Sequence, residues 1–98
     1  MLRHTVLFAW NDDVTADDVA EIASGLDRMA HVVDGIEAYR HGADLGLAEG
    51  NLDYAIVADF STADAYAAYR DHPDHQDLIA TTIRPHVSRR VGVQFELD

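Results

Sequence analysis

The chemistry-bearing residues of this chain concentrate in one stretch, Tyr69-Arg70-Asp71-His72-Pro73-Asp74-His75. Imidazole is the side chain whose charge changes near neutral pH, so a histidine in such a cluster is a natural acid or base, and a nearby phenol can donate a hydrogen bond to developing negative charge. His72 and His75 are three residues apart, a spacing that suits a metal. However, His-x-x-His alone does not complete a zinc pattern, and the chain has no Cys. No metal site is therefore expected. His75 falls in the first turn of a helix opened by Pro73, where the partial positive charge of the helix end favours the neutral base, while Asp71, Asp74 and Asp77 favour the cation. His72 is a candidate substrate contact, its ordinary role at such a junction being a helix cap.

Two further residues belong with this cluster. His4 shares a strand face with Val6, Phe8 and Trp10, and a polar ring among apolar neighbours must find a partner or line a cavity. Tyr54 opens a later strand on the face of Ile56, Ala58 and Phe60, with an apolar body and a polar tip. Both are candidate substrate contacts, His75 is a candidate base, and Tyr69, on the apolar stripe of its helix, reads by itself as core packing.

The elements that position these residues follow from periodicity. Residues Leu2 to Trp10 alternate as a strand, and Thr15 caps a helix from Ala16 to about Ala30 whose apolar positions are Val19, Ile22, Leu26 and Met29. Ile36 to His41 reads as a strand with Glu37, Tyr39 and His41 on one face. Gly42 to Asn51 reads as a loop, and Tyr54 to Phe60 as the third strand. Ser61-Thr62-Ala63-Asp64 resembles a capping box for a helix through Tyr69. His72-Pro73 interrupts that helix, a further one follows over Pro73 to Ile83, and Arg90 to Leu97 is the last strand. The order is βαββαβ, an α+β ferredoxin-like fold with an antiparallel sheet and helices on one face. Strands one and three are apolar on both faces, Leu7, Ala9 and Val57 as well as Phe8 and Ile56. This predicts that a second subunit covers the open face.

Composition narrows the function classes. The chain has 98 residues, 48% hydrophobic and 26% charged, so residues 1–98 form a single domain. Seven Arg, no Lys and eighteen acidic residues give a net charge of −11, which repels nucleic acid and anionic membrane surfaces, and the absence of Lys removes Schiff-base chemistry. No apolar run approaches the roughly 20 residues of a membrane helix, and the N-terminus lacks export-signal features. A cytoplasmic protein is expected.

Taken in order, His4-Thr5-Val6-Leu7-Phe8, the Tyr54 to Phe60 strand, Tyr69 through His75 and Val93-Gln94-Phe95-Glu96 resemble the stress-responsive dimeric α/β-barrel (Dabb) family, over essentially the whole chain. The resemblance implies a homodimeric α/β barrel. It extends to the plant polyketide cyclases of that family, of the olivetolic acid cyclase type, which perform an intramolecular aldol condensation without a cofactor. On that likeness His75 is the base, Tyr69 assists it, and His4 lines the pocket. Tyr54 stands where those enzymes carry a second pocket histidine, which changes the basicity there. The reading is a cofactor-independent acid–base enzyme for a small polyketide-like or aromatic ligand. The alternative is a non-catalytic stress-responsive dimer or small-ligand-binding module.

Overall fold

The computed structural model describes residues 1–97. Four strands, β1 (Leu2–Trp10), β2 (Ile36–Ala43), β3 (Tyr54–Phe60) and β4 (Val87–Glu96), form one antiparallel sheet in the order β2-β3-β1-β4. Helices α1 (Ala16–Val32), α2 (Ala63–Asp71) and α3 (Pro73–Leu78) pack on one face of it. Beyond α3 the chain continues through a wider π turn, Ile79–Ile83, and a 3-10 turn, Arg84–His86, into β4. This is the ferredoxin-like α+β arrangement anticipated from the element order.

Local chemistry accounts for the helix starts. Thr15 accepts from the backbone N–H of Asp18, and the Asp18 carboxylate accepts in return from the N–H of Thr15, closing a capping box. These bonds hold the Asp18 carboxyl below its usual range. In α2 the cap is Thr62, which accepts from Ala65. The box therefore does not begin at Ser61: a start at Thr62 places Asp64 in the first turn, where it faces the helix dipole without a reciprocal bond. Helix α1 runs to Val32 because nothing interrupts it before Asp34-Gly35, where Gly35 takes the left-handed φ of 89° that turns the chain into β2.

Three strand details depart from the periodicity reading. A bulge between Ile36 and Ala38 puts Glu37 out of step, so Tyr39 and His41 share the helix-facing side with Ile36 rather than with Glu37. Strand β2 also extends to Ala43, which pairs with Tyr54. Strand β4 begins at Val87, before the apolar alternation starts, because its backbone pairs with Trp10 and Ala9 across a register shift, and it ends at Glu96.

The core lies between sheet and helices. Val6, Phe8, Ile56, Ala58 and Phe60 meet Ile22, Leu26, Met29, Tyr69, Leu78 and Ile83, all buried. Gly25 of α1 is buried against α3, and a Cβ placed there would collide with Leu78 Cδ1. The absent side chain thus sets how closely α3 approaches α1. The opposite sheet face carries Leu7, Ala9, Val57, Val91, Val93 and Phe95, with Val93 56% and Phe95 46% exposed. At one end of that face Arg3 grips Asp59 through two hydrogen bonds of 2.7 and 2.9 Å, and Asp59 is held below the usual carboxylate range by that contact.

Gly25→Val should lower stability by about 1–3 kcal/mol, since overpacking against Leu78 outweighs the gain of replacing a helical glycine. Urea denaturation of the two proteins checks this.

Candidate functional site

A cavity of about 360 Å³ opens between the α2–α3 layer and the sheet. Val6, Phe8, Leu26 and Ile56 form its apolar floor, and His4, Tyr66, Tyr69, His75, Arg84 and Arg90 supply its polar groups. That volume is within the usual range for small-molecule sites.

The break at His72-Pro73 creates the site. His72 takes an extended conformation, φ −61° and ψ 133°, ending α2, and its Nδ1 accepts from the N–H of Asp74 to cap α3. The chain then restarts at an angle that brings His75 back beneath Tyr69, ring centroids 4.1 Å apart. Ending α2 here also frees the Arg70 carbonyl, which accepts from His75 Nδ1 at 3.1 Å. A carbonyl only accepts, so Nδ1 carries the hydrogen and Nε2 holds the lone pair. Burial lowers the pKa of His75, the Arg70 carbonyl opposes this, and Arg90 and His72 lower it further. The net result is a neutral imidazole at pH 7.

His4 sits on β1 with 5% of its surface exposed. The Gln94 amide nitrogen, across the β1–β4 pairing, donates to its Nδ1 at 2.8 Å and fixes the Nε2–H tautomer. Its ring lies 4.9 Å from that of Tyr66 and 6.2 Å from that of Tyr69. Burial, with Arg90 and His75 adding to it, pushes its pKa down to about 4. His4 is thus a neutral hydrogen-bond donor inside the cavity.

Tyr69 is buried, and its contact with His75 is ring against ring. Its hydroxyl lies 3.0 Å from that of Tyr39 on β2. Burial raises the pKa of both phenols, and their mutual hydrogen bond raises Tyr39 while lowering Tyr69. Either hydroxyl can donate in this pair.

Of the residues singled out in the sequence, His4, Tyr69 and His75 meet around one cavity; Tyr54 and His72 do not line it. Tyr54 faces the helices but lies further along β3, where its hydroxyl meets His41 Nδ1 at 2.7 Å and His41 Nε2 meets Asp27 at 2.6 Å. It ties α1 to the sheet. His72 is engaged as the cap of α3. Tyr66, Tyr39, Gln94, Arg84 and Arg90 were not singled out. Tyr39 had a visible signal, since it shares a strand face with His41. Arg90 and Gln94 had none, because they reach the site only through the register that sets them opposite Phe8 and His4. Among the described residues no three His, Asp or Glu side chains come together as a metal site requires, and no helix is long and apolar enough to cross a membrane.

One layer of helices on a four-stranded antiparallel sheet, with a histidine-lined cavity between them, places the molecule among ferredoxin-like proteins. The profile of the stress responsive A/B barrel domain family, Dabb, matches residues 2–97, and the chain belongs to that family. It is similar to a dimeric ferredoxin-like protein of unknown function from Thermobifida fusca, at 46% identity and TM-score 0.91 over 98% of this chain and 90% of that one. A Dabb family protein with a ferredoxin-like fold from Mesorhizobium loti has TM-score 0.83 at 18% identity, covering 98% and 95% of the two chains. A hydroxynitrile lyase from Passiflora edulis has TM-score 0.86 at 14% identity, covering 99% and 93%, so the fold also carries a lyase. No curated protein sequence matches the chain.

The depressed pKa of His4 makes stability depend on pH. The unfolded chain binds a proton near 6.5 that the folded one resists until about 4, so this contribution is complete above 6.5 and is lost as pH falls through that window. The loss should reach about 3 kcal/mol at its acid end. Urea denaturation between pH 7.5 and 4.5 should show it, with a flatter dependence in His4→Gln.

Proposed function

We propose that the chain is a homodimeric, cofactor-independent acid–base enzyme that acts on a small carbonyl compound with an acidic methylene, of the polyketide cyclase or aldol type. The observation that carries this reading is the His75 tautomer: Nδ1 is bonded to the Arg70 carbonyl and Nε2 is left basic, on a ring that lines the cavity and lies tilted against Tyr69.

Nε2 of His75 takes a proton from a carbon flanked by carbonyls, and the C–H electron pair moves into an enolate. The Tyr69 hydroxyl donates to the enolate oxygen, and the Nε2–H of His4 holds a second oxygen of the substrate. The enolate carbon attacks a second carbonyl of the same molecule. A C–C bond forms, and the resulting alkoxide regains the proton from imidazolium His75. Loss of water from that adduct completes a condensation. Positioned acid–base catalysis supplies about 10² to 10⁴-fold, which is adequate for a carbon already activated by two carbonyls.

Homodimerisation is supported by the apolar outer sheet face and by the dimeric state of the Thermobifida fusca protein. A second copy covering Leu7, Val57, Val91, Val93 and Phe95 removes that surface from water. Phe95→Asp should shift the molecular mass measured by sedimentation equilibrium from two chains to one.

The catalytic reading is tested with methyl 3-oxo-3-phenylpropanoate, whose enolisation is followed by ultraviolet absorbance over the buffer rate. The wild-type protein should accelerate it, and His75→Ala should lose about 10²-fold or more. The acid limb of the rate profile should fall below 6.5, because the base stays neutral to lower pH than an ordinary imidazole. Tyr39→Phe should lower the rate and leave the acid limb in place. Binding of the ester without acceleration would overturn catalysis and leave a ligand-binding module.

A further inference from the structure

The cations of this chain are distributed unevenly. Three of its seven arginines, Arg70, Arg84 and Arg90, line the cavity, and no acidic residue among those described does. A chain of net charge −11 repels anions at long range, so this local reversal of sign requires its own explanation. Arg70 is neutralised by Asp71 through hydrogen bonds of 3.0 and 3.1 Å. Arg84 and Arg90 have no ion pair among the described residues.

The two free guanidinium groups come from different elements. Arg84 follows the π turn that supplies Ile79 and Ile83 to the cavity wall, and Arg90 lies on β4 opposite Phe8, so it faces the helices. Their planar forks match a carboxylate more closely than any neutral oxygen. The rest of the lining is aromatic and aliphatic, and the volume suits a molecule of about the size of a small aromatic acid.

We propose that the substrate of this site carries a carboxylate, held by Arg84 and Arg90 while its carbonyl-activated carbon reaches His75; this rests on the acid–base reading of the same cavity. The arrangement has a second consequence. Arg90 depresses the proton affinity of both His4 and His75 in the empty cavity. A carboxylate on Arg90 offsets that field, so binding of the acid strengthens the base as it loads the substrate.

The test compares 3-oxo-3-phenylpropanoate with its methyl ester, which share one skeleton and differ in charge, by titration calorimetry on the wild-type protein, Arg84→Gln and Arg90→Gln. The acid should bind roughly tenfold tighter than the ester, each variant should lose most of that preference, and ester affinity should stay within about twofold. Ester binding also reports that each variant is folded. Equal affinity for acid and ester, no binding of the acid, or equal loss of both in Arg90→Gln overturns the carboxylate assignment, while His75-dependent enolisation of the ester stands apart from that result. Selective binding of the acid by a protein that accelerates no enolisation sustains the carboxylate site and removes the acid–base reading.

Discussion

The two-residue repeat of β1 is the constraint on which the molecule depends. This strand lies between β3 and β4, and its even residues face the helices while its odd residues face the other way. One set, His4, Val6 and Phe8, builds the cavity floor. The other, Thr5, Leu7 and Ala9, builds the apolar outer face, with Arg3 anchored to Asp59 at its end. A slip of one residue would exchange the two sets and abolish both surfaces together.

The site is made by an interruption rather than by a regular element. Proline at 73 cannot continue α2, and the carbonyl groups left free at the end of that helix need donors. His75 supplies one of them, so the bond that repairs a helix end also chooses which imidazole nitrogen remains basic. One hydrogen bond both satisfies the helix end and fixes the tautomer of His75. Burial then keeps the ring neutral, since a charged imidazolium loses hydration without gaining a carboxylate partner inside the cavity.

Electrostatics divides the surface in the same economical way. Two arginines without an ion pair, Arg84 and Arg90, border the cavity, and no acidic residue among those described lines it. Arg90 adds a local field that disfavours protonation of His4 and His75.

Element order, the helix-facing identity of His4 and the two-sided apolar character of β1 and β3 were legible in the amino-acid pattern, because alternation and capping are local and depend on neighbours in the chain. The same holds for the helix break before Pro73 and for the family resemblance carried by Tyr69 through His75. The bulge at Glu37, the early start of β4 and the separation of Tyr54 from the cavity were not, because backbone pairing and distance along a strand depend on partners remote in sequence. Tyr54 shares the correct face with the site, yet periodicity specifies a face and not a position along it, and tertiary packing gave its hydroxyl to His41. Arg90 and Gln94 illustrate the limit most clearly. They enter the site solely through registers that join residues 82 and 90 apart in the chain, to Phe8 and to His4, and no local rule reads such a pairing.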